Sequence, residues 1–280
     1  MARLFHVATI SFGLAFVVVT LFAEDSRSAY GNWPQWRGPL ATGVAPDANP
    51  PVTWGEDRNI RWKVAVPGKG HSTPIVWGKR LFVTTAIPFG ATLPPKPEMS
   101  PGAHDDLLVT RHHKFVVLAF NRADGQLLWQ RSVRQELPRE GGHATGSLAS
   151  NSQVTDGERV FAFFGSRGLY CLTVDGKMQW QADLGQMQTK HGHGEGSSPA
   201  LYGETLIINW DHRGQSFVVA FEKRTGKQLW RVSRDEVTEG SGALGIGGVL
   251  KRQERFKGKK VVAVVCGRNI DLEVFKKIIA

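Results

Sequence analysis

The residues best suited to chemistry lie in a glycine-rich stretch, KHGHGEGSSP, that begins at residue 190. His191, His193 and Glu195 alternate with glycine in this stretch, and imidazole and carboxylate groups are ligands that zinc and other divalent ions favour. The pattern therefore predicts a candidate three-ligand metal site. The alternative is a glycine-rich rim loop whose polar side chains bond to backbone groups. Asp211 and His212 follow in WDHRG and belong to the same polar region.

The number and spacing of the cysteines restrict the chemistry that they could perform. The chain has only Cys171 and Cys266, which stand 95 residues apart, so it has no vicinal cysteine pair and no paired-cysteine metal motif. A G-x-S-x-G nucleophile elbow and a G-x-x-x-x-G-K-[ST] phosphate loop are also absent from the sequence. These patterns give no support to a serine hydrolase or a nucleotide phosphatase.

The elements that would position these residues are β-hairpins. Three segments share one pattern of an apolar strand, a tight turn with glycine, and a short strand with tryptophan, which is typical of a hairpin. The segments are FVVLAFNRADGQLLWQRSV, GLYCLTVDGKMQWQADL and FVVAFEKRTGKQLWRVS.

The hairpins recur at a nearly constant interval. Gly125, Gly176 and Gly226 are 51 and 50 residues apart, and a tryptophan follows each of them by four positions, at Trp129, Trp180 and Trp230. A further strand pair precedes each hairpin, and four short strands per period of about 50 residues are typical of a β-propeller blade. We predict an all-β partial propeller of three to four blades. The tryptophans are expected to pack between blades, and a stacking surface for an aromatic ligand is the alternative.

At DGKMQW, TGKQLW and SSPALYG the chain resembles the pyrroloquinoline-quinone-like propeller repeat family. NWPQWRGP and NIRWKVAVPGKGHSTPIVWG resemble the opening segment and first blade of secreted bacterial members, so the resemblance covers residues 31–237. That family includes quinoprotein dehydrogenases and the propeller lipoprotein that helps to assemble outer-membrane proteins. The dehydrogenases carry a vicinal cysteine pair beside the quinone and a Glu/Asn/Asp set for calcium. Since the cysteine pair is missing here, the resemblance favours a binding scaffold over an oxidoreductase.

Residues 88–113 interrupt the first predicted blade. The segment is rich in proline and lacks periodicity, which predicts a surface insertion. It contains potential metal ligands that a solvated loop would also explain: His104, Asp105, Asp106, His112 and His113.

The tail, residues 239–280, does not continue the repeat. Its pattern of helix, strand and helix predicts an α/β segment. At EGSGA and VVCGRNIDLE it resembles the C-terminal end of the catalytic domain of pyridoxal-phosphate threonine dehydratases and serine racemases. The resemblance implies that Cys266 would meet the pyridine nitrogen of that cofactor, but Arg268 replaces a family glycine beside it. The sequence thus predicts a truncated propeller fused near residue 238 to a dehydratase end.

The first 23 residues have a basic start, an apolar run and a small residue at Ala23, which predicts a cleaved secretory signal peptide. An uncleaved membrane anchor is the alternative. We expect a periplasmic or secreted protein with no integral membrane span after cleavage. The formal net charge is +10, of which +6 falls in residues 241–280 without an aromatic and basic binding motif, so we expect no nucleic-acid partner.

Together these patterns predict an extracytoplasmic, non-catalytic propeller that binds a protein or small ligand and needs no cofactor. One alternative is an oxidoreductase that uses pyrroloquinoline quinone with a divalent metal. A second is a fragment of a pyridoxal-phosphate threonine dehydratase. Because an incomplete ring leaves sheet edges open, we also expect self-association through those edges.

Overall fold

The structure is a computed structural model that describes residues 31–45, 48–95 and 105–234. The predicted signal peptide (residues 1–23), His104 and the predicted α/β tail with Cys266 lie outside the described residues. In the described ranges, no helix is long and apolar enough to span a membrane.

The described residues form three four-stranded antiparallel sheets and one two-stranded ribbon. This architecture confirms the prediction of an all-β partial propeller. We call the sheets blades 1 to 3 in chain order. Blade 1 and its ribbon comprise β1 (Ile75–Trp77), β2 (Arg80–Phe89), β3 (Asp106–Leu107), β4 (His112–Asn121), β5 (Leu127–Glu136) and β6 (Gly142–His143).

The other two blades repeat this order of strands. In each blade the strands pair with their neighbours in sequence, except that β2 pairs with β4 and the β3–β6 ribbon stands apart. Blade 2 comprises β7 (Val154–Thr155), β8 (Arg159–Phe163), β9 (Leu169–Thr173) and β10 (Met178–Ala182), and blade 3 comprises β11 (Ala200–Tyr202), β12 (Thr205–Trp210), β13 (Ser216–Glu222) and β14 (Gln228–Arg234).

The segment between β2 and β4 is shorter than the predicted insertion of residues 88–113. Pro88 pairs with His113 and Phe89 pairs with His112, so these four residues extend the sheet of blade 1. The chain leaves the blade only after Phe89, and part of the excursion forms the ribbon through β3.

Blade 2 is buried on both of its faces. Successive side chains of a strand point to opposite faces, so Val160 and Ala162 of β8 pack against blade 1 while Phe161 and Phe163 pack against blade 3. This arrangement explains why β8 reads as a nearly continuous apolar run. Two core layers therefore lie between the three stacked sheets, and a third buried cluster lies on the other face of blade 1, at Val83, Val116, Leu118 and Phe120.

Two of the three repeat tryptophans, Trp129 and Trp180, lie on the turn of the following blade. Trp129 donates from Nε1 to the carbonyl oxygen of Val174 at 2.9 Å, and Trp180 donates in the same way to Lys223 at 3.0 Å. The turn glycine under each ring has a positive φ, and an added Cβ would lie 2.7 Å from Trp129 at Gly176 and 2.6 Å from Trp180 at Gly226. Glycine is needed there for both backbone conformation and space.

Trp62, which is not part of the predicted repeat, provides the same contact for blade 1. Its Nε1 donates to the carbonyl oxygen of Arg122 at 3.0 Å, and a Cβ on Gly125 would lie 2.6 Å from its ring. Trp230 holds the corresponding position in β14 and is 42% exposed. The described residues include no fourth blade for Trp230 to cover.

Candidate functional site

Glu195, one of the three predicted metal ligands, is engaged in a buried ion pair. Its side chain is 7% exposed, and its Oε1 lies 3.0 Å from the guanidinium of Arg167, which is itself 4% exposed. The same carboxylate accepts hydrogen bonds from the backbone N–H and the hydroxyl of Ser166, each at 2.6 Å. Ser166 and Arg167 belong to a short 3-10 turn between β8 and β9.

The position of the Glu195 carboxylate also explains why residue 165 is a glycine. An added Cβ on Gly165 would lie 1.7 Å from Oε2 of Glu195, and Gly165 has a φ of +60°. The turn before β9 is thus shaped around the carboxylate, which ties blade 2 to the segment that leads into blade 3.

Arg167 extends this network toward blade 1. Its Nε lies 3.8 Å from Oε1 of Glu136 at the end of β5, and its guanidinium stacks over the ring of Phe115 at 5.6 Å from the centroid. Glu140, in the connection between blades 1 and 2, accepts hydrogen bonds from the N–H and the hydroxyl of Thr189 at 3.1 and 3.2 Å. Buried charges of this kind are stable only when they are paired. We name this set of charges the inter-blade network.

The histidines of the predicted metal site contact each other and His143. The rings of His191 and His193 have centroids 5.6 Å apart, and His143 meets His193 edge to face at 5.1 Å. The structure therefore does not assemble His191, His193 and Glu195 into one ligand set, because the carboxylate is already paired with Arg167. Across the described ranges, no group of three or more His, Cys, Asp or Glu side chains is arranged to hold a metal ion.

Asp211 and His212 also have structural partners. The carboxylate of Asp211 lies 3.0 Å from the guanidinium of Arg234 and accepts from the amide of Asn209 at 2.6 Å. His212 accepts from the backbone N–H of Gln188 at 3.2 Å through Nδ1. These contacts join strand ends of blade 3 to the loop that precedes it.

Cys171 lies on β9 and is fully buried. Desolvation by burial raises the pKa of its thiol to about 12. A protonated, inaccessible thiol is a poor nucleophile and a poor metal ligand.

Among the described residues, Cys171 is enclosed between blades, and the carboxylates of Glu195 and Asp211 are each paired with an arginine. The inter-blade network resembles the polar packing that holds neighbouring sheets in register.

A cavity of about 340 Å³ lies beside blade 1 and was not predicted from the sequence. Its walls come from the ends of β2 and β4 that meet at Pro88 and His113, from the segment 107–111, and from residues 141–148 before blade 2. Four of its lining side chains carry basic groups, namely Lys69, Arg111, His113 and His143. The cavity could not be predicted from the sequence because the segments that form its walls are far apart in the chain.

His113 lines this cavity, and its surroundings shift the pKa of its imidazole. Burial lowers the pKa of its imidazole, and the positive charges of Arg167, Arg111 and His112 lower it further, although a hydrogen bond with the carbonyl of Arg111 acts in the opposite direction. The direction of the shift reflects the partial burial of His113 and the positive side chains near the start of β4.

The fold and its repeat define a β-propeller of the pyrroloquinoline-quinone-like type. More particularly, the chain belongs to the family described as outer membrane protein assembly factor BamB, whose profile matches residues 113–267. The match continues beyond the predicted fusion point near residue 238, and the dehydratase resemblance of residues 239–280 receives no support. No curated protein matches the chain.

Several solved structures are similar to parts of the chain. A quinohemoprotein alcohol dehydrogenase from Pseudomonas putida is 16% identical, with a TM-score of 0.37, over 62% of this chain and 22% of the enzyme. A europium-containing methanol dehydrogenase is 14% identical, with a TM-score of 0.37, over 59% of this chain and 25% of that one. BamB from Moraxella catarrhalis is 14% identical, with a TM-score of 0.27, over 54% of this chain and 51% of its own. The chain thus spans about a quarter or less of the two dehydrogenases.

Proposed function

We propose that this chain is an extracytoplasmic, non-catalytic propeller that binds a protein or a small ligand. The observation that carries the proposal is the use of the side chains that could do chemistry. Glu195 and Arg167 pair with each other between blades, and Trp129 and Trp180 each cover the turn of the next blade. Groups committed to holding sheets together are not available to bind and activate a substrate.

The location outside the cytoplasm rests on the N-terminal sequence, in which Ala23 ends an apolar run. The family name also refers to assembly at the outer membrane. Cell fractionation of the full-length chain, followed by intact-mass measurement, tests this part. A mass that begins close to residue 24 is expected in the periplasmic or secreted fraction, whereas an intact Met1 in the cytoplasm would contradict export.

An assay of quinone-dependent dye reduction tests the absence of catalysis. The exported protein would be supplied with pyrroloquinoline quinone, calcium and a panel of primary alcohols. No rate above that of the protein-free mixture is expected, because the sequence provides no vicinal cysteine pair to lie beside the quinone.

The same assay also tests the alternative function, that of a quinoprotein oxidoreductase. Alcohol-dependent turnover that disappears when calcium is removed would establish a quinoprotein oxidoreductase and overturn the proposal. A known quinoprotein dehydrogenase, treated in parallel, shows that the reconstitution conditions work.

A further inference from the structure

We propose that the cavity beside blade 1 binds a small organic anion, a carboxylate with an apolar body. This inference deepens the proposed binding function by naming one class of ligand. It rests on two features of the cavity: the sign of the charges that line it and the apolar character of the remaining walls.

The charged groups that line the cavity are all basic. Lys69, Arg111, His113 and His143 contribute to its wall, and no lining residue is acidic. Asp106 precedes the lining residue Leu107 in sequence but is not part of the wall. A ligand in this space would therefore have cationic groups as its nearest charges, and these attract an anion most strongly where water is partly excluded.

Arg111 is fixed in the wall of the cavity by a hydrogen bond. One terminal nitrogen of its guanidinium donates to the carbonyl oxygen of Gly90 at 2.9 Å. A guanidinium binds a carboxylate through charge-assisted hydrogen bonds, so this group suits an anionic ligand.

Two carboxylates lie near the cavity but outside its wall, those of Glu136 and of Asp106. Asp106 lies opposite His143 in the β3–β6 ribbon, and its carboxylate oxygens are buried. Glu136, the cross-strand partner of His113, lies 2.7 Å from Arg134 and is shared with Arg167. Burial, and after it the charges of Arg167 and Arg111, lower the pKa of His113, so the positive charge of the wall comes from Lys69 and Arg111 rather than from this imidazole.

The rest of the wall suits an apolar body. Pro88, Leu107, Leu108 and Leu148 line the cavity, and Leu107 and Leu108 are about half exposed, at 55% and 50%. A volume of about 340 Å³ is at the small end of the range for ligand pockets. One or two fused rings, or a short aliphatic chain, with a single carboxylate would match both the volume and the charge.

Isothermal titration of the full chain with naphthoate and with its neutral isostere naphthamide tests the inference. The two probes share one apolar body and differ in charge, so the amide is expected to bind about tenfold more weakly or worse. Equal affinities of the two probes, or no binding of naphthoate at millimolar concentration, would overturn the proposal.

Two variants locate the binding. Arg111→Gln is expected to weaken naphthoate binding about tenfold and to leave naphthamide binding nearly unchanged. Arg58→Gln removes the same charge from an exposed position outside the cavity wall and is the matched control. Equal weakening in both variants would show a non-specific charge effect and would contradict the assignment to the cavity.

Folding of each variant is checked by its thermal unfolding midpoint. If Arg111→Gln fails to fold, the comparison of the two probes on the unmodified protein still decides the charge preference, and Lys69→Gln replaces it in locating the site. The outcome is separable from that of the dye-reduction assay, because turnover with quinone would remove the non-catalytic proposal without altering the affinity for naphthoate.

Discussion

Cys171 shows how the position of a residue in the stack of blades sets its chemistry. The thiol lies on the face of β9 that packs against blade 3, and burial raises its pKa to about 12. Since thiol reagents attack the thiolate, we expect Cys171 to be unreactive in the folded protein at pH 8. In the variant Cys266→Ser, a chromogenic disulfide reagent should detect no thiol until denaturant unfolds the chain.

The unfolded protein is the control for that experiment, because the same variant must then release one equivalent of chromophore. Rapid reaction of Cys171 without denaturant would mean that blades 2 and 3 separate easily. That result would contradict the tight packing between them.

His113 should make stability depend on pH. Its pKa is lower in the folded protein than the ordinary value of 6.5, so the unfolded chain binds a proton more readily. The penalty is absent well above pH 6.5 and grows as the pH falls from 6.5 toward the folded pKa. We expect urea unfolding to show a loss of stability across this acidic window that is smaller in His113→Gln.

His112→Gln, one position earlier on β4, is the matched control for the pH experiment. The positive groups facing His113 are Arg111, His112 and Arg167, and its cross-strand neighbour is Glu136. An identical change in both variants would show that the effect does not come from His113 itself.

At the scale of secondary-structure elements, the contact between a tryptophan and a glycine turn joins the blades. Gly226 has a φ of +72° and lies under the ring of Trp180, so Gly226→Ala introduces both backbone strain and a clash. Gly203→Ala also meets a positive φ, of +56°, but nothing lies within 4 Å of its added Cβ. We expect Gly226→Ala to lower the free energy of unfolding by about 1 to 3 kcal/mol more than Gly203→Ala does.

Urea unfolding of the two variants measures that difference directly. Backbone strain is common to both, so the difference isolates the contact with Trp180. Equal losses would mean that the ring moves aside without cost and that the turn contact contributes little to blade docking.

The hairpins could be predicted from sequence because all their signals are local. The turn glycine and the tryptophan lie four residues apart, and their interval of about 50 residues is visible without any structure. Trp62 was missed because its partner, Gly125, is far away in sequence and no hairpin precedes it. The contacts of Glu195 could not be predicted for a similar reason. Its partner Ser166 is 29 residues away in sequence, and its partner Arg167 belongs to another turn.

At the scale of the whole molecule, the two faces of blade 3 differ. One face packs on blade 2 through Leu206, Ile208 and Phe217. On the other, Trp230 pairs with Ala220 and Val232 pairs with Val218 across β13 and β14, and Trp230 and Val232 are 42% and 57% exposed. Ala220 itself is buried, and we name the other three residues, Val218, Trp230 and Val232, the open face. It has the composition of the inter-blade faces, which cover one another elsewhere in the molecule.

The open face should make the protein associate with a second copy of itself. The other faces of the same repeat pack their tryptophans, partly buried, against a neighbouring sheet, so two open faces can pack on each other in a symmetric dimer. We expect sedimentation velocity to show dimers that increase with protein concentration.

Val232→Lys places a charge in this contact and should weaken the association about tenfold or more. Val52→Lys makes the same substitution at a site that is 94% exposed, and it should leave the dimer unchanged. A protein that stays monomeric at every concentration, or a dimer that resists Val232→Lys, would mean that the open face is not the surface through which copies meet.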